Sequence, residues 1–483
     1  MRDVLRAFTK AASSGLLAVA FGILAMRVLA HSVGTAGIGL FSELREIQRI
    51  TVLVGTFGGG QAIIQGIAAR SGEDKIRFSA EILKIEVVCG ILLWLLLAIL
   101  SPFISQAVFG NHQHWAIFAL LGIPVIASIG FSFAITIING RLFVSTYAVC
   151  QAVLALFLWI SAIPLSKLAA QGNETAYLWI LTIPFLIAGS VGIVILYKKC
   201  AFQKFGIFLR EKVQWQNISL FMRIAGAMFM TQVLTSAVIL ILRTGLIHRF
   251  GLRVAGDFDP AWTISNVYLN GITGAFNVYF FPKLTAYELN EDRQQLTENM
   301  LRLSAIVIGI TLVVLLLSRN LVIDHLYGVK FLNATHSMRW MLIGDLFRVT
   351  SLFPTVLLIG RGHIKSYIVL EVSMNLIFLL IGTVGYYTKF PLDILGIGYL
   401  SAYVIRLVAS LSYVRLKREY QLSIQVIVGW LSIFSGLCIA TFASWNINQK
   451  PINIALVFLS GLIIVAGIIV MLYKKKLIHR ALT

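Results

Sequence analysis

The stretch MLIGDLFRVTSLFPTVLLIG (residues 341–360) decides how the whole chain is read. Its length matches the roughly 20 apolar residues that a helix needs to cross a bilayer. Yet Asp345 and Arg348 stand near its middle. A charge at a helix centre costs about 2.5–3.5 kcal/mol on insertion scales. The two residues are i,i+3 neighbours and can attract one another, but pairing does not solvate them in lipid. This face must therefore turn toward the interior of a helix bundle or toward water. Two readings follow: a static internal ion pair that ties helices together, or a functional site.

Outward from that stretch, the composition is that of a polytopic membrane protein. The 483 residues are 58% hydrophobic and only 12% charged, with mean hydropathy +0.88. A soluble domain carries about twice that charge fraction. Apolar runs of membrane-spanning length recur throughout, so the fold class is all-α. Barrel strands would instead show short alternating segments. About fourteen spans can be drawn from near residue 10 to near residue 473. The first, Ala11–Ala30, is read as a retained helix, because a cleaved leader does not account for Arg27 within it.

The net charge of +20 would point to nucleic acid in a soluble protein. Here Lys and Arg gather in alternate loops, RSGEDKIR (70–77), KKCAFQKFGIFLREK (198–212), GRGHIK (360–365), RLKREY (415–420) and the tail KKKLIHR (474–480). That asymmetry is the positive-inside pattern and places both termini in the cytoplasm, with no nucleic-acid partner. The four cysteines are scattered and no metal-ligand spacing occurs, so neither metal nor cofactor is expected.

Other polar residues sort by depth. LFSELREIQRI (40–50) sets Arg45 and Arg49 on one helical face, with Glu46 three residues before Arg49. They either snorkel at an interface or line a wet cavity. Gly58, Gly59 and Gly60 follow in the same run, as a close-packing surface or a hinge. Arg406 lies deep in its span, while Arg27, Arg243 and Glu371 lie nearer span ends. The deeper charges lean cationic, which suits an anionic cargo, and arginine's fixed fork grips phosphate oxygens. There is also an internal echo: GTAGIGLF (34–41) and GLRVAGDF (251–258) share Gly, Gly and Phe at matching offsets.

Three blocks carry a family resemblance: VGTAGIGLFSELREIQRITVLVGTFGGGQAIIQGIA (33–68), DFDPAWTISNVYLNGITGAFNVYFFPKLT (257–285) and MLIGDLFRVTSLFPTVLLIGRGHIKSYIVLEVSMNLIFLL (341–380). The chain resembles Wzx-type flippases of the multidrug/oligosaccharidyl-lipid/polysaccharide (MOP) exporter superfamily, in the branch that handles O-antigen and lipid III units. The resemblance implies two pseudo-symmetric six-helix bundles in a V around a central cavity, here residues 1–212 and 213–418. Residues 419–483 add two helices and a basic tail, beyond the family's pattern. It further implies a bacterial inner-membrane location. The cargo is an undecaprenyl-pyrophosphate-linked oligosaccharide, moved from the cytoplasmic to the periplasmic leaflet amid membrane lipid. A polysaccharide polymerase and a chain-length regulator are the implied partners. Substrate-binding candidates are Arg45, Arg49, Arg348, Arg406, Arg27 and Arg243. Candidate cavity or ion-coupling carboxylates are Asp345, Glu46 and Glu371. No enzymatic residues are expected. The alternatives are a small-molecule exporter of the same superfamily, or a membrane enzyme of glycan assembly.

Overall fold

The computed structural model describes residues 2–68, 70–141, 143–199, 215–286, 290–360, 363–417, 422–443 and 459–471. Much of the basic loop 198–212, part of 415–420 and the tail 474–480 lie outside them. Among the described residues the chain is helical, with no strand. This follows from the apolar solvent: inside hydrocarbon every backbone N–H and C=O must bond within its own segment, and a helix achieves that.

The helices run α1 (Arg2–Gly55), α2 (Gly60–Ala68), α3 (Gly72–Phe109), α4 (Trp115–Leu120), α5 (Gly122–Gly140), α6 (Val144–Ala170), α7 (Thr175–Lys199), α8 (Trp215–Phe250), α9 (Leu252–Ala286), α10 (Asn290–Tyr327), α11 (Ala334–Gly360), α12 (Ile364–Val384), α13 (Pro391–Leu416), α14 (Ile424–Ala443) and α15 (Leu459–Met471). Eleven among the described residues are long and apolar enough to cross a membrane. Two facts reconcile eleven with the fourteen spans drawn from sequence. Helix α1 merges two runs across a kink at Gly34. Helix α9 and the shorter apolar helix α15 are not among the eleven.

Two compact units form, Met1–Asp257 with Leu326–Lys330, and Phe258–His325 with Phe331–Thr483. In the first, α6 packs along α1 and α7, while α5 packs on α7, α3 and α2. Its core gathers Ile63, Ile67, Phe78, Ile82, Phe133 and Ile137. Helix α3 turns Leu92, Leu95, Ile99 and Phe103 outward as a lipid-facing stripe. In the second unit, α11 packs along α13, α12 packs on α13, and α14 rests on α11. The apolar stretch of α11 is 89% buried, against 17% for α3. The helix with charges at its centre is thus the one withdrawn from lipid.

The internal echo has a structural counterpart within the first unit. Gly34 and Gly251, equivalent in the two copies, both adopt the left-handed region, with φ of 66° and 82°. Each lets the chain change direction at one residue, a conformation that glycine reaches without steric cost. The second shared glycines then meet the opposite copy. A Cβ on Gly39 would lie 2.3 Å from the Leu252 carbonyl oxygen, and one on Gly256 would lie 1.8 Å from the Thr35 carbonyl oxygen. Thr35 and Leu252 are themselves equivalent positions, so the crossing is reciprocal.

Candidate functional site

In the second unit the carboxylate of Asp345 is fully buried, at 0% exposure. A bare buried carboxylate would be very costly. Three hydroxyls on two neighbouring helices answer it. Ser265 Oγ on α9 donates to both Asp345 oxygens, 2.9 Å from each. Tyr399 on α13 donates its hydroxyl to Oδ1 at 2.6 Å. Tyr268 on α9 donates its hydroxyl to Oδ2. Arg348 completes the cluster: its Nη1 donates to the Tyr399 hydroxyl at 3.0 Å, so that oxygen accepts from the cation while donating to the anion. Sequence spacing predicts that Asp345 and Arg348 are neighbours, and Tyr399 is what joins them.

The geometry around Tyr399 is tightly set. Its ring is 1% exposed and has Trp262 and Phe378 edge-on at 6.1 and 5.9 Å. A Cβ on Gly344 would come within 2.7 Å of the ring, so a glycine directly before Asp345 leaves room for the hydroxyl to reach it. Arg348 Nη1 and Nη2 also each donate to Asn266 Oδ1 at 3.1 Å. These bonds use three of the five guanidinium N–H groups, and the residue keeps partial exposure. Arg348 and Arg406 both lie over the Tyr403 ring, 5.6 and 5.8 Å from its centroid. Arg406 in turn forms an ion pair with Glu371 on α12. Asp345, Tyr399, Arg348, Tyr403, Arg406 and Glu371 therefore make one connected set across α11, α12 and α13.

The first unit holds its own charges. Arg49 pairs with Glu46 at 2.6 Å while half of the Arg49 side chain, 52%, stays open to solvent. Arg45 lies over the Phe41 ring at 5.6 Å. Arg27 is exposed. Arg243 is only 2% exposed and acts electrostatically on the buried Glu43, whose Oε1 also accepts from Thr244 at 2.9 Å. Gly58 stands in a break between α1 and α2: Phe57 and Gly58 both have positive φ, 53° and 58°. A Cβ on Gly58 would meet the backbone of Phe229 at 3.1 Å. Gly59 ends the break and Gly60 opens α2.

Sequence reasoning missed Ser265, Asn266, Tyr268, Tyr399 and Tyr403, and it left Glu371 and Arg406 as separate residues. Hydroxyls do not stand out in apolar runs the way charges do. The sequence leaves the role of α14 open: Trp430 donates its indole N–H to Thr350 Oγ1 at 3.0 Å, and Phe347 meets Trp430 and Phe434 edge-on at 4.9 and 5.3 Å. Helix α14 thus rests on the residues flanking Arg348.

Known proteins share this architecture. Lipid II flippase MurJ in an inward closed conformation superposes with TM-score 0.66 at 14% identity, covering 97% of this chain and 99% of that one. An inward-facing multidrug resistance MATE family transporter of the MOP superfamily gives TM-score 0.67 at 13% identity, over 84% and 94%. The fold is of the MurJ and MATE kind. In sequence, Lipid III flippase of Escherichia coli (strain K12) is 24% identical over 379 residues, 75% of this chain and 86% of its own length. The profile of the polysaccharide biosynthesis protein family matches residues 28–336, more than half of the chain, and the chain belongs to that family.

Proposed function

We propose that this protein is a flippase for an undecaprenyl-pyrophosphate-linked oligosaccharide, an O-antigen or related surface-glycan unit. It carries the head group from the cytoplasmic to the periplasmic leaflet of the bacterial inner membrane. The observation that carries the reading is Arg348: a cation on a buried, apolar helix, positioned by Tyr399 and Asn266, with guanidinium donors left over. Held in this way, the fork is pre-oriented for phosphate oxygens. The relatives' names support the cargo class, since lipid III and lipid II flippases are among the proteins that this chain resembles.

The physical task is to bring a charged, hydroxyl-rich head group across hydrocarbon, where unpaired charge costs many kcal/mol. In this reading Arg348 and Arg406 in the second unit, and Arg45 and Arg49 in the first, exchange their present partners for phosphate or acidic sugars. The polyprenyl tail stays in lipid, and two halves with two added helices move by alternating access. Asp345, Glu46 and Glu371 balance the arginines between cargoes and are the candidates for ion coupling. The protein translocates and does not react with its cargo. A cationic set argues against an exporter of small cations.

The test is a surface-glycan assay in cells relying on this gene, with membrane levels of each variant checked. Arg45→Ala, Asp345→Ala and Arg348→Ala are expected to leave lipid-linked oligosaccharide on the inner leaflet and to lower surface glycan at least tenfold. Full display in all three well-expressed variants would reject the site. An unchanged glycan surface on deleting the gene would reject the function.

A further inference from the structure

One buried carboxylate has no place in the network above. Glu86 lies on α3, 3% exposed, with its Oε2 lacking any hydrogen-bond partner. Its immediate neighbours Val87 and Val88 are 42% and 55% exposed, facing lipid. Glu86 points the other way. It shares a helical face with Ile82 and Gly90, each one turn away. Ile82 belongs to the core with Ile63, Phe133 and Ile137, against which Phe57 also packs. A Cβ on Gly90 would meet Ile129 Cδ1 at 2.9 Å, and one on Gly55 would meet the same atom at 3.0 Å. Glu86 therefore lies between the level of Gly55 and the level of Ile63. Between those two residues the α1–α2 run is not helical, but broken over Thr56–Gly59.

The break is strained, because Phe57 holds a positive φ of 53° without being glycine, a conformation that persists where the surroundings enforce it. Non-helical backbone at membrane depth is tolerated where it is buried in protein or lines a wet cavity, and unwound carbonyls at such breaks serve as cation ligands. A carboxylate buried beside them is either neutralised by a proton or matched by a cation. Among the described residues no hydrogen bond or ion pair from a cation to Glu86 is seen. Helix α5 carries no charged residue. On α1, Glu43, Arg45, Glu46 and Arg49 all precede Gly55 by more than a turn. On α8, Arg243 acts on Glu43, while His248 bonds the Ala107 carbonyl near the far end of α3; Arg249 adjoins His248, and Arg223 lies in the sequence before Phe229. On α3 itself, Glu81 and Lys84 lie toward its start. Among the described residues no group of three or more His, Cys, Asp or Glu is placed to hold a metal ion, and one carboxylate is a poor donor set for a divalent metal.

We infer that Glu86 and the Thr56–Gly59 break form a binding site for one small monovalent cation, a proton or a sodium ion, in the first unit. Occupancy neutralises the carboxylate and holds the broken helix in its present form. The inference is independent of the cargo, because its readouts need no glycan.

Purified full-length protein is melted in sodium chloride and in choline chloride at equal ionic strength. In parallel, the protein is treated with dicyclohexylcarbodiimide, which adds to protonated carboxyls in apolar surroundings, and adducts are mapped by mass spectrometry. Glu86→Gln keeps the size of the side chain and removes the charge. If sodium is the ligand, it raises the melting temperature by several degrees in the wild type, not in Glu86→Gln, and protects Glu86 from the reagent. If the ligand is the proton, Glu86 is labelled near neutral pH in either salt. Equal melting temperatures in both salts together with an unlabelled Glu86 overturn the inference, and this wild-type result needs no variant to fold.

Discussion

Asp345 and Glu86 are both carboxylates on apolar helices, 0% and 3% exposed, but the protein answers them in opposite ways. Asp345 receives three hydroxyl donors and, through Tyr399, an arginine. Glu86 has an oxygen without any hydrogen-bond partner, on the helical face that it shares with Ile82 and Gly90. Burial is the same, so burial alone does not define a role. The surrounding shell does. A filled shell fixes one arrangement of side chains, which suits positioning a cation such as Arg348. A carboxylate without such a shell suits the small monovalent cation inferred above.

The contrast can be broken by substitution. The largest effect is expected from Asp345→Ala, which leaves a buried arginine network and three hydroxyls without their acceptor. Removing one member of such a pair costs about 3–5 kcal/mol, measured by equilibrium unfolding in mixed micelles. A loss below about 1 kcal/mol would mean that the shell is not a unit. Tyr399→Phe comes next. It deletes only the oxygen between Asp345 and Arg348 and should cost about 1.5–3 kcal/mol, the range for hydrogen bonds to charged groups. A double-mutant cycle with Arg348→Ala should then show coupling, and strict additivity would separate the two residues. Trp430→Phe keeps the ring contacts with Phe347 and loses the bond to Thr350. About 0.6 kcal/mol is expected, the average for interhelical hydrogen bonds in membranes. The smallest effect belongs to Glu86→Gln in the absence of sodium, which removes a buried carboxylate with an unbonded oxygen and so falls below the roughly 0.5–1.5 kcal/mol of a lost hydrogen bond. A loss as large as that of Asp345→Ala would make the two carboxylates alike after all.

How legible these features are in the sequence depends on the kind of residue. Asp345 and Arg348 announce themselves because charge in an apolar run is expensive, and Glu46 and Arg49 because i,i+3 spacing on a helix means contact. Tyr399 and Ser265 lie 54 and 80 positions from Asp345. A tyrosine or serine in a membrane helix is ordinary, so nothing local marks them. Glu371 and Arg406 each look interfacial or isolated until the packing of α12 on α13 brings them together. Glu86 hides for another reason: it follows Glu81 and Lys84 at the charged approach to its span, and linear hydropathy reads it as part of the boundary. The all-α class is legible throughout because it rests on composition and run length. The Gly39–Gly256 crossing is foreshadowed by an echo, but its reciprocity comes only from three-dimensional packing.

The turns at Gly34 and Gly251 also bear on how this protein can be handled. With a single non-helical residue joining each pair of runs, there is no slack for a guest sequence. An epitope, a fluorescent reporter or a protease site spliced in at either glycine would prise apart the Thr35–Gly256 and Gly39–Leu252 contacts instead of reporting which compartment it samples. The turns at Gly110–His114 and Gln171–Glu174 are the better places for such cargo.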